Sequence, residues 1–221
     1  MLLAGVSGCV DVVALVYAGV FVANQTGNLV VVAAASLSSS TRVVLAVTAL
    51  IAFAAAVVGG AYARRGIRRR WSQHAARMAL LGAEVVLVLV AGVLILVRPS
   101  DRGLALLVPV ALLAASQGAQ AILITRLLGS GIRTVAATGP LTDTLVNSVE
   151  AVADPEQRRD PTRRRLLMLA GATPGGYAVG AALAALAART GLHISLLLAS
   201  VLAAVAAVVL TRVERDGLDV A

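Results

Sequence analysis

Ser7-Gly8-Cys9-Val10-Asp11, continued by Phe21-Val22-Ala23-Asn24-Gln25-Thr26-Gly27-Asn28, decides how this chain is read. A second stretch looks like its copy: Ser116-Gln117-Gly118-Ala119-Gln120, then Val135-Ala136-Ala137-Thr138-Gly139-Pro140. In each, a Ser is followed four positions later by a polar residue, Asp11 or Gln120, inside an apolar run. Each run then gives way to an irregular polar segment containing Thr-Gly. The rest of the chain reads as apolar scaffold around these two interruptions.

The scaffold defines the solvent. Of 221 residues, 59% are hydrophobic and only 3% are aromatic, so the apolar mass is Ala, Val and Leu. The mean hydropathy is +0.92. Apolar runs near the ~20 residues needed to cross a bilayer recur along the chain. They predict an all-α, polytopic membrane protein of six spans, near 1–20, 42–63, 78–97, 104–126, 166–188 and 193–213. Broken segments follow the first and fourth spans. Leu29–Leu37 is expected as a short apolar stretch that Thr26 could cap, and Leu141–Val152 as a short amphipathic helix presenting Asp143, Asn147 and Glu150 on one face. Residues 1–213 form a single transmembrane domain, with 214–221 a polar tail. The first 20 residues lack a basic leader region and are expected to be a mature helix, not a cleaved signal. The abrupt start fits a chain from which a few native residues are missing.

The net charge of +8 rests on 19 Arg and no Lys. These Arg cluster beside apolar runs, which is the positive-inside pattern and not a nucleic-acid surface, since no stacking aromatics accompany them. Loops at 64–77 and 153–165, with six and five Arg, are expected on the cytoplasmic side against anionic lipid, and both termini with them. Arg98–Arg102 falls on the opposite side. Heavy use of Ala, Val and Arg without Lys suggests a high-GC bacterial genome and an inner-membrane location.

With six spans, the first and fourth run in opposite directions. If residues 1–97 and 104–213 are copies, they are inverted three-helix repeats, the common plan of secondary transporters with broken helices at the binding site. The predicted binding residues are therefore Asp11, Asn24, Gln25, Thr26, Gly27 and Asn28 with Gln117, Gln120, Thr138 and Gly139. Asp11 and Glu84 are the candidate proton-coupling acids, because intramembrane ionisable residues are costly and functional by default. Asp11 has a plainer alternative, an inter-helix hydrogen bond that holds the fold. Glu84 could equally snorkel to the interface, pair with Arg, or join Asp11. Arg126 and Arg133 read either as an anion site or as ordinary interfacial charge. Gly176-x-x-x-Gly180 is a packing motif and the expected contact of a homodimer. Cys9 reads as a small residue at a helix contact. His74 and His193 have no metal-ligand spacing around them, and no nucleophile–base arrangement or phosphate-binding loop exists, so neither an enzyme nor a cofactor or metal is expected.

The pattern Gly8-x-x-Asp11 followed by Phe21-x-x-x-x-Thr26-Gly27-Asn28 resembles the YoaK-like family of bacterial inner-membrane proteins. Gly118-Ala119-Gln120 and Ala136-Ala137-Thr138-Gly139 are similar to its later motif, with the first Thr of that motif absent here. The resemblance covers nearly the whole chain and implies a polytopic membrane protein, without a substrate or reaction. Function is thus expected to be a small transporter or permease of an unidentified molecule, with a membrane ligand sensor or scaffold as the alternative.

Overall fold

The structure, a computed structural model, describes residues 1–37, 39–70, 73–97, 103–127, 142, 145, 146, 149 and 161–215. Among them the chain is all-helical: α1 (Leu2–Ala18), α2 (Gln25–Ala33), α3 (Ser40–Arg70), α4 (Gln73–Val97), α5 (Leu107–Leu127), α6 (Pro161–Ala188) and α7 (Leu192–Arg215). Short 3-10 turns at Ala35–Leu37 and Gly103–Leu106 lead into α3 and α5. Thr142, Leu145, Val146 and Val149 are helical, as expected of a helix over 141–152. Asp143, Asn147, Glu150, Arg133 and the 98–102 turn lie outside the described residues.

Among the described residues, three helical stretches are long and apolar enough to cross a membrane: Ser40–Ala63, Ala75–Val97 and Gly103–Ile124. Leu2–Ala18 and Ile194–Val209 are shorter apolar helices. Large apolar side chains also face outward, among them Val16, Ile51, Val86, Val108, Val179 and Val201 on six different helices. Water would penalise such a surface, whereas lipid does not.

Two Arg-rich segments expected as loops are helical where the structure describes them, over 64–70 and 73–77 in the first and 161–165 in the second. α3 continues through Arg70 and α4 resumes at Gln73, so residues 64–77 are mostly two helix ends. Arg and Ala favour helix, and Gly66 alone is too weak a breaker to stop it. Likewise α6 starts at Pro161, ahead of Arg163–Arg165. Proline suits a first helical turn, where no N–H is needed.

Glycine sets the close crossings. α1 lies against α6 and α7, α5 lies against α3 and α4, and α4 meets α7. Each half's first helix therefore packs on the other half's second and third. At the α1–α6 crossing a Cβ on Gly8 would collide with the Tyr177 carbonyl, and one on Gly180 with the Gly5 carbonyl. Cys9 Sγ donates to the Gly180 carbonyl at 3.1 Å, which is the small-residue helix contact expected of it. At the α3–α5 crossing a Cβ on Gly118 would stand 2.6 Å from the Phe53 carbonyl. Small residues bring backbones together where lipid gives no hydrophobic drive for association. Gly176 and Gly180 are buried against α1 of the same chain. A homodimer through that pair would have to displace α1.

Two apolar clusters fill the bundle. The larger includes Val10, Val88, Leu113, Ala114, Leu196 and Ala203. The smaller includes Leu3, Leu81, Leu123, Ile124 and Ala206.

Candidate functional site

α1 ends at Gly19, whose φ of 71° is the left-handed conformation that glycine adopts without a Cβ penalty. Its N–H bonds the Leu15 carbonyl at 3.0 Å, and its own carbonyl accepts from Arg42 Nε at 2.6 Å. The chain then runs without helix through residues 19–24 before α2 begins. Backbone groups freed by such a break need partners when no water reaches them.

Asp11 supplies them. Its carboxylate is 2% exposed. Oδ1 accepts from the N–H groups of Val22 and Ala23, each at 2.7 Å, and Oδ2 accepts from the Asn24 N–H at 3.0 Å. The Tyr177 hydroxyl, reaching from α6, donates to Oδ2 at 2.6 Å. One carboxylate thus receives four donors, three of them from consecutive residues of the interrupted backbone. Such charge-assisted bonds are the strong ones.

The rest of the motif closes the same turn. Asn28 accepts the Phe21 N–H at 2.9 Å through Oδ1, and donates through Nδ2 to the Phe21 carbonyl at 2.6 Å and to Gln25 Oε1 at 2.9 Å. Gln25 Nε2 donates to the Val22 carbonyl at 2.6 Å. Gly27 lies beneath the Phe21 ring, where a Cβ would sit 2.5 Å from Cδ2. Thr26 was expected as the cap of α2, but the N-cap residue is Asn24 and makes no side-chain cap bond. Thr26 Oγ1 instead donates to Asn24 Oδ1 at 3.0 Å, because α2 starts at Gln25, two residues too early for a Thr26 cap.

A second polar cluster lies one turn back along α1. Ser7 Oγ donates to Gln117 Oε1 at 2.7 Å. Gln120 Nε2 donates to the Leu3 carbonyl at 2.9 Å and to Ser7 Oγ at 3.1 Å. Gln117 Nε2 donates to Ser116 Oγ at 3.4 Å, and Ser116 Oγ to the Leu113 carbonyl at 2.7 Å. Ser7, Ser116, Gln117 and Gln120 are all fully buried.

The predicted binding residues thus separate into two groups. Asp11, Asn24, Gln25, Gly27 and Asn28 hold the break, with Thr26 at its exposed edge. Gln117 and Gln120 bond to Ser7 and the α1 backbone. Thr138 and Gly139 lie outside the described residues. Glu84 is fully buried on α4, and neither carboxylate oxygen has a hydrogen-bond partner among the described residues. Its interfacial snorkelling is excluded by that burial. If the two halves are aligned on their close-approach glycines, Gly8 and Gly118, Asp11 falls opposite Ala121, one residue past Gln120.

Tyr177 is the functional-looking residue the motif reading missed. The chain has three Tyr, and this one stands between Gly176 and Gly180. A phenol among small residues in an apolar span must find a hydrogen-bond acceptor, which was the available signal. No group of three or more His, Cys, Asp or Glu that could hold a metal occurs among the described residues.

Apolar outward faces, close glycine crossings and a buried polar interior define an all-helical membrane protein. The chain belongs to a family of proteins of unknown function, DUF1275, whose sequence profile matches residues 1–209. Neither a curated protein nor a solved structure matches it.

Proposed function

We propose that this protein is a small secondary transporter or permease, built from two inverted three-helix repeats in a bacterial inner membrane, that moves a small molecule not yet identified. The observation that carries the reading is the interrupted first span. Leu15 and Val16 before the break, and Leu29 and Val30 after it, expose apolar side chains outward. The irregular backbone between them is therefore flanked by lipid-facing surface, and discontinuous helices of this kind form the binding sites of transporters. The reciprocal packing of the first helix of each half on the second and third of the other supports the repeat. A rival reading, a sensor or scaffold, is favoured by the closure of Asp11 with four donors from its own chain.

A thermal-shift screen of purified protein against amino acids, sugars, nucleosides and organic acids separates these. Ligand at 100 times its Kd adds about 2.7 kcal/mol of stability, a readily measured rise in Tm. The transporter reading expects a stabilising compound that also exchanges across proteoliposomes. A compound that binds without exchange makes the protein a sensor, and stabilisation by none of them favours the scaffold. Six spans with cytoplasmic termini further require that Ser100→Cys be labelled from outside intact cells, while Ser72→Cys and Gln157→Cys are not. Outside labelling of either Arg-rich segment would overturn that topology.

A further inference from the structure

The two apolar clusters are separated by a polar layer, and three helices step through it in register. On α1 the face runs Leu3, Ser7, Val10; on α5 it runs Leu113, Gln117, Gln120, Ile124; on α4 it runs Leu81, Glu84, Val88. In each case the first and last residues belong to different clusters and the polar residue falls between them. The serine and the two glutamines of this layer bond to one another and to backbone. Glu84 does not: it is buried completely, with both carboxylate oxygens lacking a hydrogen-bond partner among the described residues.

We propose that Glu84, and not Asp11, is the proton-uptake site of this bundle: its carboxyl takes up one proton and gives it back when the polar layer opens to water, while Asp11 stays fixed as the latch of the broken span. The step is simple in its balance. A carboxylate oxygen gains a proton and forms an O–H bond, then loses it, and no electron moves.

Charge is the reason. A carboxylate without donors in an apolar interior costs several kcal/mol, which a proton or a cation must offset. A metal ion is the poorer fit, because hard cations favour several carboxylate ligands and no group of three or more His, Cys, Asp or Glu that could hold one occurs among the described residues. The charged residues of the helices packed against α4 stand toward the helix ends in sequence, Arg126 on α5 among them. α5 carries no titratable side chain from Leu107 to Thr125. α7 has His193 at one end and Arg212, Glu214 and Arg215 at the other, with Arg212 exposed. α3 brings Arg42, bonded to Gly19, exposed Tyr62, and the Arg residues of its last turns. On α4 itself, Arg77 is seven residues away, about 10 Å along the axis, with His74 beyond. Asp11, by contrast, is already supplied with four donors, so protonating it would break the arrangement that holds residues 22–24.

The use made of the proton rests on the transporter reading; the existence of the site does not. Infrared difference spectra of the full chain in phosphatidylcholine nanodiscs, taken across pH steps in H2O and D2O, test the site. A protonated-carboxyl band that follows pH should be present in wild type, fall at least ten-fold in Glu84→Gln, and persist in Asp11→Asn. Glu84→Asp, which keeps the acid on a shorter stem, should keep the band at a displaced frequency, and it carries the test if Glu84→Gln does not fold. A band that survives Glu84→Gln, or is unmoved in Glu84→Asp, overturns the proposal, as does its absence from wild type. A second arm loads proteoliposomes with a pH-sensitive dye and drives them with a potassium diffusion potential. Proton entry at least ten-fold faster in wild type than in Glu84→Gln supports the coupling role. A Glu84 band with no proton entry leaves the site standing and counts against the transporter reading instead.

Discussion

Two buried polar regions lie a single helical turn apart on α1, and they are built in opposite ways. The Asp11 latch draws three of its four donors from residues 22–24, only 11 to 13 positions along the chain. The Ser7 layer is assembled from side chains 110 and 113 positions away, and includes an acid, Glu84, with no partner among the described residues. The first is a closed structural device that makes a broken helix tolerable in lipid. The second keeps an unmet electrostatic demand, and such a demand is where an ion or ligand can act. Burial of a polar group alone does not separate these cases; the count of its donors and acceptors does.

The largest expected effect tests the latch. Asp11→Leu strands the buried N–H groups of Val22 and Ala23, the half-buried N–H of Asn24 and the Tyr177 hydroxyl. At about 1–3 kcal/mol for each unsatisfied group, the loss should be about 5 kcal/mol, with residues 19–24 no longer ordered. Unfolding in mixed micelles and the fraction recovered as a single species by size exclusion would measure it. A loss below about 2 kcal/mol would show that water already shares these donors, and the contrast with the layer would weaken. Tyr177→Phe sharpens the same point. It deletes one donor and leaves the carboxylate its three backbone bonds, so about 1–2 kcal/mol should be lost. A double-mutant cycle with Asp11→Asn should give coupling above about 0.5 kcal/mol, as for residues in direct contact.

How much of this was legible beforehand divides along the same line. Hydropathy revealed the apolar helices, and the stretch from Phe21 to Asn28 announced a break, because Asn, Gln, Thr and Gly interrupt an otherwise Val- and Ala-rich run. Asp11 stood out by its cost in lipid, and the alternative that it holds the fold is what its four hydrogen bonds describe. That Tyr177 needs an acceptor was legible, but that the acceptor is Asp11, 166 residues away, was not, and neither was the separation of Gln117 and Gln120 from the latch. In lipid both faces of a helix are apolar, so periodicity does not say which face meets which neighbour; the glycine crossings do, and these become readable only when the pairs α1–α6 and α3–α5 are known. The Arg-rich helix ends were misjudged as loops because charge was weighed above the helix propensity of Arg.

Within the layer, Ser7→Ala should cost about 1 kcal/mol. The serine hydroxyl donates to Gln117 and accepts from Gln120, yet hydrogen bonds between helices in membranes average only about 0.6 kcal/mol, since the separated helices find other partners. Chemical unfolding against wild type would register the change, and a loss near the Asp11→Leu value would mean that the layer, too, is a latch.

The smallest effect is expected at the most buried acid. Glu84→Leu removes a carboxyl that makes no hydrogen bond among the described residues and replaces it with a side chain of similar volume between Leu81 and Val88. Replacing buried charge by well-packed apolar groups is often neutral or stabilising, because the desolvation cost disappears while no partner is stranded. Stability should therefore stay within about 1 kcal/mol of wild type, or rise. Asp11 and Glu84, both almost wholly buried, should then respond to the same substitution with opposite outcomes: collapse of the break for Asp11, tolerance for Glu84. Parallel unfolding curves of Asp11→Leu and Glu84→Leu under one set of conditions make the comparison directly. A loss above about 3 kcal/mol in Glu84→Leu would reveal a strong partner for that carboxylate and remove the distinction between latch and layer, together with the reason for assigning the proton to Glu84.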